Sequence, residues 1–200
     1  WAVNETKIHN VCLAGGVAMN CKMNGVIADL KEVEQIFVQP VSNDVGTTFG
    51  SSLALCKAHD YPVAADFMEH VYLGPEFSND EIADAIQQRG LSCQQHHNIE
   101  EITADALEHG KVIGWFQGRM EAGARALGNR SILGDPRRSD MKDIINNKVK
   151  FRENWRPFCP SILEEYQDDY IENGFIHPYM IIAFRVLQSK INEIPSVVHV

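Results

Sequence analysis

Two short apolar runs, each followed by a helix-forming stretch, constrain the first part of this chain more than any other feature. Ile8 to Leu13 is apolar enough for a buried strand and is closed by Ala14-Gly15-Gly16. The spacing then predicts a helix from Val17 to Leu30, with Val17, Met23, Val26, Ile27 and Leu30 near one face. Gln35 to Gln39 predicts a second strand, and Pro40 ends it. Gly46 to His59 follows as a helix of small residues able to pack closely against a sheet. Strands and helices alternating at this interval imply an α/β unit.

Tyr61 to Pro75 holds two prolines and a glycine without a sustained period, and reads as a boundary. Two domains are therefore expected, over residues 1–65 and 66–200. Beyond the boundary the pattern restarts. Ser78-Asn-Asp-Glu81 is a capping box opening a helix to about Arg89, with Gly90 as its stop. Asn98-x-x-Glu101 opens another helix through His109, ended by Gly110. Lys111 to Phe116 and Ser131 to Leu133 read as strands, as do Pro160 to Leu163 and Tyr179 to Val186. Ser139 is the expected cap of a helix carrying Met141, Ile144, Ile145 and Lys148 on one side. The second half is thus mixed α and β, without repeats or low-complexity tracts.

Composition narrows the function. With 200 residues, 44% of them hydrophobic, the chain can build one large domain or two small ones. Its 27 acidic and 18 basic residues, net −9, argue against a nucleic-acid backbone as main partner. No apolar run approaches the roughly 20 residues that cross a bilayer, and no basic-then-apolar leader is visible. Five cysteines (Cys12, Cys21, Cys56, Cys93, Cys159), odd in number and without a C-x-x-C pair, fit a cytoplasmic location. A start at Trp1 and a close on an alternating run suggest a piece of a longer polypeptide.

The charge is unevenly spread. Residues 118–156 hold ten of the 18 Lys and Arg but five of the 27 Asp and Glu, so this window is +5 and the remainder −14. A cationic island in an acidic chain suits a small polyanion better than an extended one. Its arginines are set among glycines: Gly118-Arg119-Met-Glu121-Ala-Gly123-Ala-Arg125-Ala-Leu-Gly128-Asn129-Arg130-Ser131. Arginine matches phosphate or carboxylate oxygens two at a time, and glycine lets backbone N–H groups approach the same anion. Strands on either side would hold this loop rigid. Lys148, Lys150, Arg152 and Arg156 could converge on the same place, so phosphate binding is favoured over a solvated basic face.

Two smaller features remain open from pattern alone. The Gly15-Gly16 turn suits either a phosphate at a helix start or simple steric need, and Asn20 suits either a nucleotide or solvent. Asp44, just after the second strand, is placed for a metal or ligand, yet a helix N-cap accounts for it better. The histidines form no metal-ligand spacing, and Cys159 reads as packing.

These residues resemble a family. Val11-Cys-Leu-Ala-Gly-Gly-Val-Ala-Met-Asn20, Phe37-Val-Gln-Pro40 and Asp44-x-Gly46 resemble the end of the catalytic domain of NodU-type O-carbamoyltransferases of nodulation and antibiotic biosynthesis. Tyr72-Leu-Gly-Pro75, Trp115-Phe-Gln-Gly-Arg-Met-Glu121 and Arg125-Ala-Leu-Gly-Asn-Arg-Ser-Ile-Leu133 resemble their C-terminal domain. Lys150-Phe-Arg-Glu153, Arg156-Pro-Phe158 and His199-Val200 continue the match; Ala122 and Ala124 depart from it, where an aromatic residue and a proline are expected.

The resemblance implies an α/β chain: the C-terminal part of an actin–hexokinase-type (Kae1-like) domain, then a mixed α+β YrdC-like domain. It implies ATP-dependent transfer of a carbamoyl group from carbamoyl phosphate, through a carbamoyl-adenylate, to a hydroxyl of a small acceptor. Arg125 and Arg156 would act at the centre of that chemistry, holding carbamoyl phosphate and the ATP phosphates. Arg119, Arg130, Ser131, Lys148 and Arg152 would support them. Gly15, Gly16 and Asn20 would contact nucleotide, and Asp44 would be a metal ligand rather than a cap. The implied cofactors are ATP, Mg2+ and Fe2+, the iron ligands being incomplete here. The partners are small molecules, without nucleic acid or membrane, and a homodimer is compatible. The alternatives are a threonylcarbamoyl-type tRNA-modifying enzyme and a non-catalytic nucleotide-binding regulator.

Overall fold

The computed structural model describes residues 1–63 and 68–199, which gather into two compact units. The first contains Trp1–Leu73, Glu121–Leu127 and Phe175–Phe184; the second contains Gly74–Met120, Gly128–Gly174 and Arg185–Val200. The boundary expected at residues 65 and 66 lies outside the described residues.

In the first unit a short helix α1 (Ala2–Thr6) precedes β1 (Asn10–Leu13), which pairs in parallel with β2 (Gln35–Val38). Asn10 stands opposite Gln35 and Leu13 opposite Val38. Alternation turns Leu13, Ile36 and Val38 toward the core and leaves the facing pair Cys12 and Phe37 exposed. The helix expected over residues 17–30 is split. A 3-10 turn over Gly16–Met19 ends at Asn20, whose extended backbone starts α2 (Cys21–Ala28). The Asn20 side chain accepts the Met23 N–H at 3.1 Å, which makes it the N-cap of α2.

Helix α2 packs on the segment Phe175–Phe184. Asn24 is wholly buried and donates through Nδ2 to the carbonyls of Ala18 and Ile181, each at 2.7 Å. A Cβ at Gly25 would run into the Ala183 carbonyl oxygen. Ala18, Val38, Val41, Val71, Tyr179, Ile181 and Ile182 form the core, with Phe49 packed against it. Phe49 comes from α3 (Gly46–Ala58), a helix with no buried residue among those described; Leu53 and Leu55 on it are exposed. The close helix–sheet packing expected from its small residues is therefore absent among the described residues.

In the second unit α4 (Asn79–Gln88) opens on the expected capping box. The Ser78 hydroxyl accepts the Glu81 N–H, and the Glu81 carboxylate accepts the Ser78 N–H at 2.8 Å. Gly90 and Gly110 follow α4 and α5 (Ile99–Glu108) with φ of 62° and 76°, the left-handed conformation that glycine takes without cost. Asn98 does not cap α5; its amide donates to Glu101 instead. β3 (Ile113–Phe116) pairs antiparallel with β4 (Arg130–Leu133), Phe116 opposite Arg130.

The next helix starts from Asp140 rather than Ser139. It runs as α6 (Met141–Ile144) and widens into a π-helical turn over Ile145–Lys150, burying Met141, Ile145 and Asn146. Residues 160–163 are irregular rather than a strand. The strand expected over 179–186 shrinks to β6 (Arg185–Val186), paired with β5 (Ile171–Glu172). Met180 carries φ of 54°, which no strand accommodates. Its apolar neighbours are instead buried side chains of the first unit's core, a role that composition alone does not distinguish from a strand. Among the described residues no helix is long and apolar enough to cross a membrane.

Candidate functional site

The β3–β4 pair carries the arginine–glycine block on the loop between its strands. Arg130 begins β4 directly across from Phe116, and its guanidinium carbon lies 3.6 Å from the centre of that ring. Its two terminal nitrogens donate to the carbonyls of Gln117 (2.6 Å), Asn129 (2.9 Å) and Gly118 (3.2 Å). Asn129 donates to the Arg119 carbonyl at 2.7 Å, and Ser131 accepts the Gly128 N–H at 2.9 Å. Arg119 donates from Nε to the Gly74 carbonyl at 3.3 Å. Arg119, Arg130 and Ser131 are thus brought together around the two ends of one loop, with Arg130 stapling it.

A second group forms on the turn after α6. Asn146 is wholly buried, accepts Arg152 Nε at 2.7 Å and donates to the Arg156 carbonyl at 3.1 Å. Arg152 also lies over the Phe158 ring at 4.8 Å. Lys148 is exposed on the π-helical turn. Arg156 is exposed, 3.1 Å from Glu153 and over the ring of Trp155. Asn146 is the organising residue that sequence reasoning passed over; the available signal was an amide directly after two isoleucines in a helical pattern. The island is also less positive than its count. Arg137 grips Asp135 with its fork, holding that buried carboxyl below the usual carboxylate range, and Arg138 is 2.9 Å from Asp140.

Arg125 belongs to the first unit, apart in chain grouping from the other candidate arginines. Its segment is closed by the buried Glu121, whose carboxylate accepts the Leu127 N–H at 2.7 Å. Ala122 N–H bonds the Val71 carbonyl, the Tyr72 hydroxyl bonds the Leu127 carbonyl, and Gly123 sits against Val41. From this segment Arg125 donates through Nη2 to the Met19 carbonyl at 3.2 Å, while its buried Nε has no partner among the described residues.

That carbonyl adjoins Asn20 in the other candidate stretch of the same unit. Gly15 and Gly16 are exposed, and a side chain at either would meet nothing within 4 Å. The turn is therefore open backbone among the described residues. The Asn20 side-chain oxygen Oδ1 is occupied as a cap. Asp44 is exposed and does not cap α3; the Thr47 N–H and hydroxyl bond its backbone carbonyl instead, at 3.1 and 2.6 Å. Among the described residues no three His, Cys, Asp or Glu side chains cluster to hold a metal. Asp44 offers one carboxylate, and an iron site needs further ligands, in keeping with the incomplete set expected here.

Family comparisons cover both halves of the chain. The family model described as Carbamoyltransferase N-terminus matches residues 1–53, and that described as Carbamoyltransferase C-terminus matches residues 104–200. The chain belongs to the carbamoyltransferase family. Nodulation protein NolO of Bradyrhizobium diazoefficiens is 40% identical over 201 residues, which cover 98% of this chain and 37% of that protein. Uncharacterized protein sll1178 of Synechocystis sp. is 41% identical over 90% of this chain and 30% of its own length. Nodulation protein U of Rhizobium tropici is 33% identical over 95% and 31% respectively. The chain thus spans about a third of the length of these curated relatives. Both family matches contribute to the first unit: the N-terminal one supplies residues 1–53, the C-terminal one Glu121–Leu127 and Phe175–Phe184.

Proposed function

We propose that the carbamoyltransferase carrying this chain makes a carbamoyl-adenylate from carbamoyl phosphate and ATP and passes the carbamoyl group to a hydroxyl of a small acceptor. Family membership over both halves carries the transferase reading. The ordered arginine loop supports the phosphate chemistry, because guanidinium groups fixed by carbonyls and aromatic rings lose little entropy when an anion arrives.

The step balances as follows. One water cleaves carbamoyl phosphate to carbamate and phosphate. A carbamate oxygen then bonds to the α-phosphorus of ATP and pyrophosphate leaves. The acceptor oxygen finally bonds to the carbamoyl carbon, AMP leaves, and the hydroxyl proton is released. Two anions must meet in the adenylation step, and fixed positive charge lowers that cost. Arg156 and Lys148, both exposed, are assigned to the phosphates, with Arg119, Arg130 and Ser131 shaping the loop. Gly15, Gly16 and Asn20 are assigned to nucleotide in the first unit, with Arg125 beside them. Mg2+ would neutralise polyphosphate charge. Asp44 is assigned as one ligand of a metal whose other ligands are not gathered with it among the described residues, and no step is routed through iron.

The test is carbamoyl-phosphate-dependent exchange of pyrophosphate into ATP by the intact enzyme. Arg156→Ala is expected to lower that exchange by about a hundredfold, as loss of a positioned charge at a transferring phosphate does. Near-normal exchange in that variant would remove the assignment. Stimulation by tRNA would point to the threonylcarbamoyl reading, and ATP binding without turnover to a regulator.

A further inference from the structure

We infer that Arg125 and Glu121, which lie in the C-terminal family match, are positioning residues for the Gly15–Asn20 turn of the first unit. The inference rests on the assignment of nucleotide to that turn. The segment Glu121–Leu127 is built to place one side chain. The Glu121 carboxylate closes it on the Leu127 N–H, Val71 and Tyr72 hold its two ends, and Gly123 lies against Val41 of the core. What projects from it is Arg125, whose Nη2 ends on the Met19 carbonyl at 3.2 Å.

That carbonyl belongs to the last residue of the 3-10 turn, whose backbone bonds include Ala18 N–H to Gly15 (3.0 Å) and Asn20 N–H to Val17 (3.0 Å). Gly15 and Gly16 have no side chains to brace the turn, and nothing crowds them from outside. Asn24 holds the turn at the Ala18 carbonyl and Ala18 packs in the core; Arg125 adds a second hold, at the Met19 carbonyl, together with a positive potential beside the turn. A neutral donor would hold the carbonyl equally well; a guanidinium does so while also favouring polyphosphate. The cost of burying Nε without a partner is tolerable where charge at that place is used.

Two measurements on the 200-residue chain separate bracing from direct ligation and from plain structural support. The first is amide hydrogen exchange at Ala18 and Asn20. The second is affinity for two probes, the non-hydrolysable ATP analogue AMP-PNP with Mg2+, and adenosine. Arg125→Gln is expected to speed exchange at both amides about tenfold and to weaken AMP-PNP by a similar factor, with adenosine unchanged. Arg125→Lys should recover most of the AMP-PNP affinity. Glu121→Ala should speed the same exchange, and Glu121→Gln, which keeps an acceptor for Leu127 N–H, should not. Retained slow exchange across the β1–β2 pair shows that the first unit of each variant is folded.

Unchanged exchange at Ala18 and Asn20 in Arg125→Gln overturns the inference, whether or not AMP-PNP affinity falls. Equal loss of AMP-PNP and adenosine overturns it as well, since support of the fold alone does that. If the unsubstituted chain binds neither probe, the nucleotide assignment of this turn fails. Faster exchange in Arg125→Gln would then still show that Arg125 braces it.

Discussion

At the scale of single residues, the positions that matter most are those where a side chain has one tolerable size or one set of partners. Gly25 is in the interior of α2, where alanine is ordinarily favoured by about 1 kcal/mol. Here the Ala183 carbonyl occupies the space a Cβ needs, so Gly25→Ala is expected to destabilise the first unit by about 1–3 kcal/mol, measured by denaturant midpoint. A gain in stability would mean that Phe175–Phe184 yields at little cost. Asn146 shows the polar counterpart. Its three side-chain bonds to Arg152 Nε and the carbonyls of Asn154 and Arg156 make Asn146→Ala costly by about 2–3 kcal/mol. In the intact enzyme the same change should raise the KM for carbamoyl phosphate, since the turn bearing Arg156 loses its anchor.

At the scale of elements, short pieces of structure depend on their ends. Helix α4 has no buried residue among those described, so its capping box carries an unusual share of its stability. The Ser78 backbone N–H, and then its hydroxyl, hold the Glu81 carboxyl below its ordinary value. A depressed carboxyl stabilises fully above its unfolded pKa and loses that contribution as pH falls through the folded one. Amide exchange over Asp80–Ile82 is therefore expected to quicken on acidification; Glu81→Gln should remove this dependence, and Ser78→Ala, which keeps the backbone N–H, should only reduce it. The loop between β3 and β4 follows the same logic with different parts. Arg130 ties the two sides of it at their base, so Arg130→Lys, which keeps charge but not the fork, should loosen residues 117–129 without unfolding α4.

At the scale of the whole molecule, His177 links the first unit to pH. Its ring is packed edge-on by Phe175, Tyr179 and Phe184, and burial pushes its pKa down to about 4. A histidine depressed on folding binds its proton more readily when unfolded. Stability is therefore complete above pH 6.5, the ordinary value, and is lost as pH falls toward 4. Denaturant midpoints measured across that window should decline for the chain and flatten for His177→Leu. A parallel decline in both would assign the acid sensitivity elsewhere.

The legible part of this protein was local. The apolar runs of β1, β2 and β3, the Ser78–Glu81 box and the glycine stops after α4 and α5 are settled by neighbours a few residues away, and the chain states them openly. The arginine–glycine block was visible for the same reason, since its spacing and its charge are properties of one stretch. The engagement of those arginines was not, because it depends on carbonyls that only become neighbours when β3 meets β4. Membership of the two units lies further still from any sequence window. The Arg125 bond to Met19 spans 106 residues and the Asn24 bond to Ile181 spans 157. Such contacts form where buried polar groups must find partners and apolar side chains must leave water together. Those demands drew Glu121–Leu127 and Phe175–Phe184 out of their sequence neighbourhood and into the first unit's core.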